Sequence, residues 1–230
     1  MKVFEFNIPL MLFLVCIQVS GYGQSEKKMR NHSITIPLKI GKNPSTQFET
    51  FFIEPANLFI QSNPTTKAFT PIQLELKIIE NNSSYTTFLR NYDGSGDRQK
   101  NNFPKAYQNY AFDLKINQAA VALVVEKLDF GKAIFIDLGQ TAVIENLSIQ
   151  FEGYIGEWSE DIDGNQTDAF NTYTILVSEE KEQETMTFVS LDIQVGKELS
   201  LAWKDYEILI LEDPEKALKL KVFKNDAKNK

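Results

Sequence analysis

Apolar residues at every second place, in run after run, constrain this chain more than any other feature. Ile34, Ile36, Leu38 and Ile40 fall in phase, as do Leu74, Leu76 and Ile78. Tyr110, Phe112, Leu114 and Ile116 repeat the pattern, and so do Leu218, Leu220 and Val222. A period of two places such residues on one face of a pleated strand. Further strand-like runs span 47–54, 58–61, 84–89, 133–137, 143–154, 173–177, 185–195 and 206–212, while 119–126 reads as strand or helical turn. Pro37 interrupts its run without a donor N–H, which predicts an edge strand or a bulge. No long amphipathic helical stretch is present, so an alternating βαβ array is disfavoured.

Many short strands separated by turn residues predict an all-β fold. The expected architecture is a β-sandwich of jelly-roll or immunoglobulin-like kind, either single or as two packed small β domains, with a barrel as the alternative. Turn signals near Gly131 and Gly139 divide the chain into a region 24–130 and a region 131–224, followed by a polar tail at 225–230. The sequence shows no convincing internal repeat.

The first 23 residues read as an export signal. Lys2 gives the positive start, Ile8 to Val19 the apolar middle, and Gly21-Tyr22-Gly23 the small residues before a cut at Gln24. The apolar run is shorter than the roughly 20 residues of a spanning helix. Val15 stands before Cys16 where lipoprotein processing wants Gly, Ala or Ser. Cleavage after Gly23 is therefore expected, giving a periplasmic or extracellular chain without a membrane span. Removing 23 of the 230 residues leaves 207 and discards the only cysteine, Cys16. Stability must then come from packing and hydrogen bonds without disulfides.

The formal charge of −7 and the absence of a basic block exclude nucleic acid as an expected partner. His32 is the only histidine and sits in a polar stretch near the mature N-terminus. Zinc sites of His and Cys, cysteine nucleophiles and a Ser-His-Asp triad are thereby disfavoured.

The most chemically pointed segment runs from Glu157 to Asp168. Asp161, Asp163 and Asn165 alternate, and Asp168 adds a carboxylate; in a tight loop such spacing aims several oxygens at one centre, as calcium requires. The helix-loop-helix calcium pattern is not matched, because Gln166 and Thr172 stand where it has Gly and Glu. The plainer reading is an acidic hairpin turn. Asp93, Ser95 and Asp97 present a weaker alternation between Gly94 and Gly96. Trp158, beside the acidic loop, is the candidate ring for stacking on a sugar, whereas Trp203 fits a core or strand-edge place.

These readings lead to an exported, non-catalytic module that is structural or binds a partner at the bacterial cell envelope, its partner an envelope protein or a glycan. The alternative is a calcium-supported carbohydrate-binding module using Trp158, Asp161, Asp163, Asn165 and Asp168. A carboxylate-based glycoside hydrolase is the third reading, although no motif singles out a carboxylate pair.

Overall fold

The computed structural model describes residues 33–62, 69–91, 104–117, 120–193, 198–212 and 216–225. The expected leader 1–23, His32, the Asp93–Asp97 alternation and residues 226–230 lie outside them. The alternating runs become strands. They are β1 (Ile34–Leu38), β2 (Thr46–Phe48), β3 (Phe51–Ser62), β4 (Phe69–Glu80), β5 (Ser83–Asn91), β6 (Lys105–Tyr107), β7 (Tyr110–Asn117) and β8 (Ala120–Lys127). The second half adds β9 (Ile134–Asp137), β10 (Thr141–Ile144), β11 (Leu147–Glu160), β12 (Gln166–Glu179), β13 (Glu182–Val189), β14 (Leu199–Trp203), β15 (Tyr206–Glu212) and β16 (Ala217–Lys224). The one helical piece among the described residues is the 3-10 turn Ser190–Asp192.

The strands form three sheets. A long sheet has the order β1-β8-β7-β6-β9-β16-β15-β14, and two four-stranded sheets have the orders β2-β3-β4-β5 and β10-β11-β12-β13. The fold is thus an all-β sandwich, and no sheet closes into the barrel given as the alternative. Within each half of the long sheet three strands follow one another as hairpins, β6-β7-β8 and β14-β15-β16. The strand that opens the unit, β1 or β9, lies beside the last of them after a long connection through the covering sheet, which is the order of a Greek key.

Two cores fill it. Ile36, Phe51, Ile53, Leu74, Leu76, Phe112, Leu123 and Val125 belong to the first, between β2–β5 and the β1-β8-β7 half of the long sheet. Ile134, Ile136, Phe151, Tyr173, Ile175, Ile208, Leu218 and Leu220 belong to the second, between β10–β13 and the other half. The two small sheets cover opposite faces of the long one. Lys105 pairs with Phe112 on β7 and with Phe135 on β9, so these three point to one side. That side carries the first core, whereas Ile134 and Ile136, on the other side, carry the second.

The topology repeats within the chain. Order β1-β8-β7-β6 over β2–β5 becomes order β9-β16-β15-β14 over β10–β13. The correspondence reaches single residues. Tyr107↔Tyr110 closes the β6–β7 hairpin and Trp203↔Tyr206 closes β14–β15. Leu114↔Leu123 matches Ile210↔Leu220, and Phe112↔Val125 matches Ile208↔Val222. A bulge follows Pro55 in β3 and Phe151 in β11. The N–H of Asn43 donates to Pro55 O at 3.2 Å, and that of Gly139 to Phe151 O at 2.8 Å. Left-handed backbone recurs at Glu49 and Glu145, at Asn81 and Glu180, and at Gln108 and Lys204. The repeat that the sequence does not display is therefore carried by register, bulges and turns. Because β6 and β9 run parallel, β9 points opposite to its counterpart β1. A half-turn thus relates the units, and this is what sends their covering sheets to opposite faces.

Three sequence expectations need correction. The run 47–54 is not one strand: it bends at Glu49-Thr50 between β2 and β3. The run 143–154 bends at the equivalent Glu145-Asn146 between β10 and β11. The acidic segment 157–168 is mostly hairpin arm, with β11 lasting to Glu160 and β12 resuming at Gln166.

Candidate functional site

Among the described residues, the half-turn leaves part of the long sheet without a covering strand beside the first sandwich. There the outer faces of β9 and β16 meet the free side of β5, the edge strand of its sheet among the described residues. The recess is a groove of about 720 Å³, lined by Tyr85 to Arg90 of β5 together with Lys105, Phe135, Asp137, Leu138, Gln140, Lys216 and Ala217.

Asp137 organises one wall. Its carboxylate accepts both contacts from Lys105 Nζ, at 2.7 Å and 2.9 Å, the Tyr85 hydroxyl at 2.5 Å and the Thr87 hydroxyl at 2.6 Å. Lys105 Nζ also donates to Thr87 Oγ1 at 2.8 Å. This cluster joins β5, β6 and β9 and so ties the two units together. Burial, then the charge and hydrogen bond of Asp137, push the Tyr85 phenol far above its ordinary range. Tyr85 is therefore a fixed donor at neutral pH and no proton acceptor. The remaining wall is apolar: Phe135 and Ala217 are buried, while Phe88 is 41% exposed and Leu138 is exposed. Arg90, Lys105 and Lys216 outnumber the single carboxylate, a positive recess in an acidic protein.

The residues singled out in the sequence lie elsewhere, at the far end of the β11–β12 hairpin. Trp158 on β11 is 63% exposed; Ile155, on the opposite face of the same strand, and Ile162 in the turn are exposed as well. Asp161 holds the turn. Its Oδ1 accepts the N–H of Asp163 at 2.9 Å and of Asn165 at 2.8 Å, and its Oδ2 accepts Asn165 Nδ2 at 3.1 Å. These bonds, first those from Asn165, hold the Asp161 carboxyl below its ordinary range. The turn thus ties Asp161 to the backbone of Asp163 and to both the backbone and the side chain of Asn165; the side chain of Asp168 lies outside the described residues. Among the described residues no three His, Cys, Asp or Glu side chains gather as a metal cage. Trp203 is buried on edge strand β14, stacked on Tyr206.

Sequence reasoning did not find the groove. Lys105 and Asp137 stand 32 positions apart and look like ordinary strand-end charges. Only the pairing of β6 with β9 joins them.

No protein-family model and no curated protein sequence matches the chain.

Proposed function

We propose that the chain is an exported, non-catalytic binding module of the bacterial cell envelope. It takes an extended segment of a partner protein into the groove beside β5. The observation that carries this reading is that six consecutive residues of β5, Tyr85 to Arg90, line the groove. A strand contributes consecutive residues to one wall only when its edge faces that wall, since alternate side chains point apart. An edge offers unpaired backbone donors and acceptors, and an added strand satisfies them. Phe88 and Leu138 supply apolar contact for alternate side chains of that segment. Arg90, Lys105 and Lys216 favour acidic residues at its other positions.

A display library of extended peptides, selected against the mature protein, tests this. Selected peptides are expected to be acidic and to lose about ten-fold or more in affinity for Phe88→Glu and for Lys216→Glu. Peptides that bind both variants as well as the parent sink the groove as the site. N-terminal sequencing of protein from the producing cell tests export; a chain beginning at Gln24 is expected.

The exposed ring of Trp158 favours a second reading, a glycan-binding hairpin tip supported by calcium. Binding on a glycan array that Trp158→Ala abolishes, with a melting temperature raised by calcium, would support it.

A further inference from the structure

The seam that joins the two units has counterparts at both free ends of the long sheet. At the seam, the N–H of Phe135 on β9 donates to the carbonyl of Pro104, just before β6, at 2.9 Å. Ala106, Ala111 and Leu128 of the first unit are buried in the core of the second. By the repeat, β14 corresponds to β6 and β1 to β9, and these two strands are the ends of the eight-stranded order. Among the described residues nothing pairs with their outer edges. A second copy laying its β1 against β14 would reproduce the seam. That contact is head-to-tail, so each addition would expose a fresh end for the next.

We propose that both ends are blocked forms of the seam, which keep a second copy of this chain from adding there. The β1 edge lacks its donor. Ile36 pairs with Leu123 as Ile134 pairs with Leu220, which sets Pro37 in the place of Phe135. Pro37 has no N–H to give a neighbouring carbonyl, and a proline on an edge strand stops pairing. The β14 end lacks its apolar plug. Buried Ala111 pairs with Glu126 one place after Tyr110, and Glu207 follows Tyr206 in the same way. Glu207 accepts the Ser200 hydroxyl at 2.8 Å, a polar pair on the surface that a neighbour would have to cover. Leu128 donates its N–H to Asn109 O at 2.8 Å, and its counterpart Asn225 donates to Asp205 O at 2.7 Å. Leu128 is buried while Asn225 is exposed. The capped ends of a solenoid follow the same logic, with polar outer faces on terminal units.

The test is molar mass by light scattering across micromolar to millimolar full-length mature protein, with circular dichroism as the check on folding. The parent is expected to remain one species throughout. Pro37→Phe combined with Glu207→Ala and Asn225→Leu is expected to grow in mass with concentration beyond a dimer. Pro37→Val in the same background serves if the phenylalanine variant fails to fold. Two results overturn the proposal: a folded triple variant that stays monomeric at the highest concentration, or a parent that forms chains whose growth Pro37→Phe does not strengthen.

Discussion

The two units solve the same tethering problem with different chemistry. In the first, Glu80, at the end of β4, accepts the Tyr107 hydroxyl at 3.2 Å and Gln108 Nε2 at 2.6 Å, while the Tyr110 hydroxyl donates to Glu49. In the second, Glu179 at the end of β12 accepts the Tyr206 hydroxyl at 2.5 Å and Lys204 Nζ at 3.3 Å. Trp203 replaces Tyr107, and the Lys204 ammonium lies 4.7 Å from its ring. One tyrosine and a cation thus do what two tyrosines and an amide do. What persists is the position, a glutamate at one hairpin end facing a left-handed turn residue of the opposite sheet. The identity of the donors is free to change so long as the carboxylate is satisfied.

The largest contrast lies in the cores. Phe51 touches Phe48, Tyr107, Tyr110 and Phe112, a ring cluster at centroid distances of 5.6 to 6.2 Å. Its counterpart is the aliphatic Leu147. Phe51→Ala is expected to cost roughly 3–5 kcal/mol and Leu147→Ala roughly 2–5 kcal/mol in urea unfolding, with Phe51 the greater. The reverse order would break the idea that the first core leans on its rings.

Next comes the seam. Asp137→Ala strands three donors and should cost roughly 1–3 kcal/mol, with faster amide exchange in β9. Its counterpart, one place past the end of β1, is the exposed Lys39, where alanine should change stability by less than about 0.5 kcal/mol.

The pH dependence separates the tethers further. Burial, then Glu179, pushes the Tyr206 phenol up to about 12 from 10.0. A raised value means that its stabilisation is complete below pH 10 and is lost as pH climbs from 10 towards 12. Tyr206→Phe should flatten that limb in part, leaving the share of Tyr85 and Tyr110, which are also raised. The Tyr206 hydroxyl and then Lys204 hold the Glu179 carboxyl below 4.5, so its support is present above that value and fades as pH falls through the lower folded value. Glu179→Gln should weaken the acid limb of a thermal-unfolding profile.

The smallest difference is in one pair of turns. Glu180 is left-handed at φ 56°, where a side chain costs roughly 1–2 kcal/mol. Glu180→Gly should gain roughly 0.5–1 kcal/mol after the added chain entropy. Asn81→Gly at the matching place should move stability by only a few tenths, since asparagine already suits that backbone.

Much of the fold was legible because period-two alternation survives at Ile34–Leu38, Leu74–Ile78 and Tyr110–Leu114. The turns at Glu49 and Glu145 were not, because glutamate carries no turn signal and its left-handed φ is imposed by the hairpin around it. That same silence hid the repeat, whose shared positions are occupied by different residues, Tyr107 and Trp203 among them. Proline was the exception: Pro37 announced an edge, and β1 is one. The groove was illegible in principle, since its walls come from strands that only the seam makes neighbours. The hairpin tip was visible because its residues are consecutive.

Joining like parts back to front makes unlike shoulders. On one side of the seam Ala106 and Ala111 sink into the second core and act as mortar. On the other, Asp137 and Phe135 are left as the floor of an open recess. A mirror-like pairing would have built two identical niches or none. This arrangement spends one shoulder on cohesion and shapes its twin into a groove.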